Sequence, residues 1–168
     1  MGDWTGTVPS FAAGAKLRGV DAQTLADIAT AESGVWSDWT PTLANITQGS
    51  GTVVAKYKRV GKHVHYRFVF TLGSGSAIGT SPTFTLPATP HADYVSATFG
   101  GVPLGRLWML DSGAGAWEGT VLCLATNVAT LVYSNEVGAS SSNTITATAP
   151  FTWTSPDRLN AFGTFETS

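Results

Sequence analysis

Hydrophobic and polar side chains alternate along residues 63–70, HVHYRFVF. Val64, Tyr66 and Phe68 occupy one set of positions, while histidine and arginine occupy the other. A period of two is typical of an antiparallel β-strand with one buried face. The connection before it, residues 59–62, places Gly61 where a short hairpin needs a positive φ. The pattern therefore predicts a β-hairpin with one apolar face.

Short segments of the same kind, separated by glycine, proline and serine, continue from Trp39 to the end of the sequence. Short strands at this spacing are typical of a sandwich or jelly roll. We therefore expect a mainly β protein, an antiparallel β-sandwich of jelly-roll type. The predicted strands cover residues 40–47, 52–59, 63–72, 83–87, 94–100, 105–111, 117–125, 129–134, 143–149 and 158–166.

A different pattern precedes the β region. Residues 1–19 are irregular, and Asp21 is a suitable N-cap for a short helix over residues 22–32. The apolar stripe of this helix is narrow, so the helix must pack on something to be stable. We divide the chain into an N-terminal arm with one short helix, residues 1–35, and a β-sandwich domain, residues 36–168.

The composition limits the partners. Hydrophobic residues make up 43% and charged residues only 12%, which is not typical of a disordered chain. The net charge of −2 gives no general attraction to nucleic acid or to an anionic membrane. No apolar run approaches the roughly 20 residues of a membrane helix. The N-terminus lacks the basic start and apolar segment of a secretory signal, so we expect synthesis in a cytoplasm.

Sequence motifs for catalysis are missing. No serine lies in G-x-S-x-G, and neither common phosphate-binding loop occurs. Most acidic residues lie in predicted turns or in the helix, where a solvated cap or turn role is expected. Two carboxylates for glycoside hydrolysis need not be close in sequence, so a small hydrolase is the least favoured alternative. We expect no enzymatic activity and no cofactor.

The histidines and the one cysteine do not indicate a metal site or a reactive thiol. His63 and His65 share a predicted strand face. A zinc site needs three or four protein ligands, and no third candidate ligand follows at a spacing typical of such sites. We expect solvated or interface histidines and no metal. Cys123 is expected to be a small buried apolar side chain.

Basic residues cluster within residues 56–67. Lys56 and Lys58 share one face of their predicted strand, opposite Ala55 and Tyr57. The cluster predicts either a patch for an acidic partner, such as a capsid protein surface or an anionic cell-wall polymer, or lysines that keep an exposed sheet from aggregating. Its members are Lys56, Lys58, Arg59, Lys62 and Arg67.

Six tryptophans are many for a chain of this size. Such residues usually fill cores or interfaces, although they also stack on sugar rings. Trp36 and Trp39 are expected to pack the arm onto the domain. Trp4 lies on the arm without a local core and is expected to anchor it in a partner.

Several motifs recur together along the chain. They are W-x-x-W-T-P-T from Trp36, a strand led by Gly51-Thr52, YKRVGKHV from Tyr57, FTLP from Phe84 and the terminal GTFE at 163–166. This set resembles small virion surface proteins of tailed bacteriophages, which serve as head decorations, head fibres or tail fibre domains. The segment from Phe11 is similar to the opening of phage tail and fibre proteins, with Arg18-Gly19-Val20 replacing the usual Thr-Ala pair.

The resemblance implies a non-enzymatic structural protein at the virion surface. It further implies a homotrimer whose N-terminal arm docks on the major capsid protein or on other virion proteins. The short chain favours capsid decoration or a head fibre; a tail fibre or receptor-binding domain is the alternative. The residues expected to bind the docking partner are Trp4, Phe11, Leu17, Leu25 and Ile28.

A second class of function is a carbohydrate-binding module that recognises host-surface glycans. Its distinguishing feature would be an exposed Trp108, Trp117 or Trp153 in a groove beside polar residues.

Overall fold

The computed structural model describes residues 34–96, 102–133 and 143–168. The strands within these ranges are β1 (Ser37–Asp38), β2 (Leu43–Thr47), β3 (Thr52–Val60), β4 (His63–Thr71), β5 (Ala77–Thr85), β6 (Gly105–Asp111), β7 (Gly115–Ala125), β8 (Val128–Tyr133), β9 (Asn143–Thr144) and β10 (Arg158–Glu166). A short 3-10 helix covers Ala92–Tyr94. The helix predicted over residues 22–32 lies outside the described residues.

The described strands form one antiparallel sheet in the order β1-β3-β4-β10-β6-β7-β8-β5-β2, with β9 paired to β8 beside this path. Strand β10 lies between β4 and β6. It pairs with β4 along its whole length, from Arg158 opposite Thr71 to Glu166 opposite His63, and with β6 from Arg158 to Gly163. The strand latest in sequence therefore joins the two halves of the sheet.

The sheet curls so that one face encloses an apolar core. The rings of Phe68 on β4 and Phe84 on β5 stack with their centroids 4.3 Å apart, although four strands separate β4 from β5 in the sheet. Val64, Phe68 and Phe70 are fully buried, as the alternation along β4 predicts. Burying such side chains supplies roughly 1.5–3 kcal/mol each, so this aromatic row is a main source of stability.

The structure confirms the mainly β, antiparallel character and the hairpin at Gly61. Gly61 has a φ of 57°, and β3 pairs with β4 from Thr52 opposite Thr71 to Val60 opposite His63. The observed arrangement of the described residues is a single curled sheet.

Three predicted strands differ from the structure. The strand predicted over residues 143–149 is limited to β9, Asn143–Thr144. Strand β5 begins at Ala77, earlier than the predicted residue 83, and therefore runs through Pro82. The strand can include this proline because Pro82 lies beside a register shift in the pairing with β2. An irregular ladder does not require the proline to donate a backbone hydrogen bond. Of the strand predicted over residues 94–100, Tyr94 ends the 3-10 helix and residues 97–100 lie outside the described ranges.

Two glycines allow β6 and β10 to approach closely. Gly163 lies opposite Gly105. A Cβ atom on Gly163 would overlap the backbone carbonyl oxygen of Leu104 and lie 2.6 Å from the Cα atom of Gly105. The absence of side chains at both positions therefore permits a backbone contact that no other residue pair would fit.

A buried carboxylate connects three loops at one end of the sheet. Asp157 is fully buried and accepts hydrogen bonds from the backbone N–H of Ser112 at 2.8 Å and of Thr154 at 2.6 Å. Its carbonyl oxygen accepts one from the N–H of Leu72 at 2.9 Å. Asp157 therefore stabilises a turn, as expected for most acidic residues of this chain, but its carboxylate is buried and not exposed to solvent.

The Tyr66 side chain brings a polar atom into the apolar core. The Tyr66 hydroxyl is buried and forms no hydrogen bond within the described part of the chain, because its surroundings include the rings of Phe84 and Phe165. We expect Tyr66→Phe to leave the free energy of unfolding unchanged or to raise it by about 1 kcal/mol, since the change removes an unsatisfied group. Urea denaturation at pH 7 tests this, and a loss above about 1 kcal/mol would show that the hydroxyl has a partner.

Tyr66 also predicts a dependence of stability on alkaline pH. Burial raises the pKa of its phenol above the ordinary value of 10.0, so the unfolded chain loses this proton first. The contribution of the Tyr66 phenol to the free energy of unfolding is fully present below about pH 10. Above that pH the free energy of unfolding falls, by up to about 1.4 kcal/mol per pH unit. Unfolding measured from pH 9 to 11 should show a shallower decline for Tyr66→Phe, with pH 7 as the reference. Equal slopes would contradict the assignment.

Candidate interaction surface

The convex side of the sheet across β1, β3, β4, β10 and β6 presents aromatic and basic side chains, and we call it the outer face. Side chains alternate along each strand, so those opposite the core residues point outward. Phe162 on β10 and Trp108 on β6 are 47% and 41% exposed. The other members are Trp36, Val54, Lys56, Lys58, His65, Arg67, Val69, Arg106, Arg158, Asn160 and Thr164.

Strand register places a guanidinium on each side of an exposed ring. Phe162 lies opposite Arg67 on β4 and opposite Arg106 on β6. Because neighbouring strands are about 4.8 Å apart, the three side chains form one row across the sheet. Trp108 lies opposite Asn160 in the adjacent outward row, diagonal to Phe162. An extended ligand crossing these strands would therefore meet charge and aromatic surface in alternation.

Trp36 holds two cations at the edge of the outer face. The Lys58 Nζ atom lies 5.5 Å and the Arg67 Cζ atom 5.0 Å from its ring centroid, within the range of cation–π attraction. The ring remains 41% exposed. Trp36 therefore contributes to the outer face of the sheet, whereas the packing of the arm expected of it involves residues outside the described ranges.

Acidic side chains neutralise only part of the face. Lys56 pairs with Asp38 at 2.6 Å, and Arg106 pairs with Glu118 at 2.5 Å. In residues 34–96, 102–133 and 143–168, no carboxylate lies within ion-pair distance of Lys58, Arg67 or Arg158. These three cations keep their charge available for a ligand.

The predicted basic cluster is split by the fold. Lys56, Lys58 and Arg67 lie on the outer face. Arg59 follows Tyr57 on the opposite side of β3, and its Nη2 atom donates to Thr167 Oγ1 at 3.3 Å. Lys62 lies in the hairpin turn. Strand alternation separates Arg59 from its neighbours, and sequence proximity alone could not show this.

The remaining tryptophans divide between the two faces. Trp108 is exposed on the outer face, which meets the expected exposure of a sugar-binding residue, but this convex face is not the groove that was expected. Trp117 and Trp153 are half-buried against Phe151, with ring centroids 4.6 and 4.3 Å from it. The Trp153 Nε1 atom donates to the carbonyl oxygen of Thr146 at 3.1 Å. These two therefore serve packing, and Phe162 joins Trp108 as an exposed ring that the motifs did not single out.

The histidines and the cysteine lie where their local patterns place them. His65 Nδ1 is 2.9 Å from Thr164 Oγ1, and His63 Nε2 is 3.8 Å from a Glu166 carboxylate oxygen with both side chains half-exposed. Among the residues that can be described, no three His, Cys, Asp or Glu side chains lie close enough to hold a metal ion. Cys123 is buried as predicted, and burial raises the pKa of its thiol.

All residues predicted to bind the docking partner lie outside the described residues: Trp4, Phe11, Leu17, Leu25 and Ile28. The described part of the chain contains no helix with the length and apolar character needed to cross a membrane. Comparison with protein-family models, with curated proteins and with solved structures gave no match in any of the three.

Proposed function

We propose that this protein is a non-enzymatic structural protein of a tailed bacteriophage virion. It forms a homotrimer at the virion surface, where the arm of residues 1–35 docks on the major capsid protein or another virion protein. Residues 36–168 form the displayed β-sandwich domain. The observation that carries the proposal is the outer face, where a regular sheet presents exposed rings and cations that have no acidic partner within the described ranges. Such a face offers a surface for contact with other molecules.

The motif residues that resemble phage surface proteins support the proposal through their structural roles. Trp39 packs edge-on against Tyr57 with ring centroids 6.2 Å apart, and its Nε1 atom donates to the carbonyl oxygen of Thr85 at 3.2 Å. Gly61 forms the hairpin turn with a positive φ. Trp39 and Gly61 therefore have structural roles in the sheet, and this supports reading the motifs as a pattern tied to the fold.

Head decoration or a head fibre is the preferred location within this class. A tail fibre or receptor-binding protein is the second candidate. The exposure of Trp108 and Phe162 favours it, because rings left in solvent are typical of binding surfaces.

Light scattering of the purified full chain tests the proposal. We expect a particle of three times the 17.5 kDa chain mass. A version lacking residues 1–35 should remain trimeric, because the displayed domain itself assembles and the arm is used for docking. Monomers in both cases would overturn the homotrimer. Loss of the trimer only on truncation would make the arm an oligomerisation element, and docking on the virion would then have to use another surface.

A further inference from the structure

The central strands of the outer face offer a ligand only side chains. Strands β4, β10 and β6 are each paired on both sides, so their backbone N–H and C=O groups are used within the sheet. Peptides that bind sheets usually add a strand at a free edge and gain main-chain hydrogen bonds. A ligand of this face must instead be recognised through ring surfaces and cationic groups, which favours a ligand other than an extended peptide.

The charge of the face indicates a sparsely anionic ligand. On the outer face, Lys58, Arg67 and Arg158 have no acidic partner among the described residues, and they are spread over β3, β4 and β10. A second copy of the same face would bring like charges together, at a cost in free energy. Single-stranded nucleic acid carries a charge at every phosphate and is bound through many cations. Three available cations around apolar rings fit a polymer with fewer charges per unit.

The exposed aromatic rings would contact the apolar parts of the ligand. Phe162 and Trp108 lie diagonally on the face, and Trp36 lies beside two of the cations. Aromatic rings stack on the apolar faces of pyranose sugars and bury area from water. Guanidinium groups bind carboxylates through two parallel hydrogen bonds. Arg67 lies beside Phe162 on the neighbouring strand, and Arg158 lies on β10 two positions from Asn160, which is opposite Trp108. Cations without an acidic partner therefore lie beside exposed rings, an arrangement that matches a chain of sugar rings that carry carboxylates.

We propose that the outer face binds an acidic polysaccharide of the uronic acid type. Arg67, Arg158 and Lys58 hold its carboxylates, while Phe162, Trp108 and Trp36 contact its sugar rings. This deepens the proposed function by naming the chemistry of a partner at the displayed surface. Its test measures glycan binding by the full chain and does not depend on the subunit number, so the two proposals fail separately.

The experiment uses the full chain and polygalacturonate oligosaccharides in isothermal titration calorimetry at 50 mM salt. Methyl-esterified oligosaccharides of the same length are the matched ligand control, because they keep the rings and lose the charge. Poly-glutamate and oligo-dT test the two other anionic polymer classes. We expect at least tenfold tighter binding of polygalacturonate than of each of these three.

Paired variants then locate the site. Arg67→Gln and Arg158→Gln each remove one cation from the face, while Lys62→Gln removes one from the hairpin turn. Phe162→Thr removes an exposed ring, while Val102→Thr changes an exposed apolar residue outside the face. We expect Arg67→Gln and Phe162→Thr each to weaken binding at least fivefold, Arg158→Gln to weaken it at least threefold, and both controls to bind within twofold of the parent. Thermal melts confirm that all five variants fold.

Several results would overturn the inference. They are no measurable binding of polygalacturonate, equal binding of its methyl ester, equal or tighter binding of poly-glutamate or oligo-dT, and an effect of Lys62→Gln equal to that of Arg67→Gln. The last would show that net charge alone governs binding. Should Arg67→Gln unfold because the Trp36 ring loses one of its two cations, Lys58 and Arg67, the Arg158→Gln variant decides the same question.

Discussion

The Gly163→Ala variant is expected to lose about 3 kcal/mol or more of folding stability. A Cβ atom at this position would overlap the backbone carbonyl oxygen of Leu104 and approach the Cα atom of Gly105 to 2.6 Å. Overpacking a core usually costs about 1–3 kcal/mol. For Gly163→Ala the loss of stability should lie at or above the upper end of that range, because backbone atoms in paired strands cannot rotate away as a side chain can.

Urea denaturation followed by tryptophan fluorescence measures this loss. Gly115→Ala is the matched control, because Gly115 also lies in a strand and its nearest neighbour would be a carbon of the Trp117 ring at 3.8 Å. We expect that control to change stability by less than about 1 kcal/mol. Equal effects of the two variants would show that the close approach of β6 and β10 does not constrain the fold.

Asp157→Ala is expected to lower stability by about 3 kcal/mol. The change removes the carboxylate that accepts the N–H groups of Ser112 and Thr154, and hydrogen bonds to a charged group contribute about 1.5–3 kcal/mol each. It also leaves space in a fully buried position. The hairpin between β6 and β7 and the turn before β10 should therefore loosen together.

Thermal unfolding and amide hydrogen exchange test this second loss. Asp93→Ala is the control, since the Asp93 side chain is 84% exposed and its carboxylate lies 3.3 Å from His91 Nδ1. We expect this variant to change stability by no more than about 0.5 kcal/mol. Exchange of the Ser112 and Thr154 amides should quicken in Asp157→Ala. Unchanged exchange together with unchanged stability would contradict the proposed role of the carboxylate.

Local patterns predicted much of the sheet because the alternation along a strand is itself local. The buried set on β4 and the turn at Gly61 both follow from residues within one hairpin. The same alternation places Lys56 and Lys58 together, and applied to Arg59 it would have removed that residue from the basic cluster. Asp157 was not recognised as buried, since its partners Ser112 and Leu72 lie 45 and 85 residues away along the chain.

The outer face could not be predicted from sequence for a different reason. Arg67, Phe162 and Arg106 are distant in the chain, and they meet only because β10 inserts between β4 and β6. No local pattern specifies which strands become neighbours across such separations. Strand order, which depends on how the whole sheet packs its apolar side, therefore decides the composition of the candidate site.

The central place of β10 also determines when the protein can fold during synthesis. Until residues 158–166 have left the ribosome, β4 and β6 each have an open edge, and the sheet consists of two separate halves. Nascent chains would then present unpaired strands suited to pairing with other chains. The sheet is thus completed only after residues 158–166 have emerged, and the strand that completes it also brings Phe162 between the two arginines.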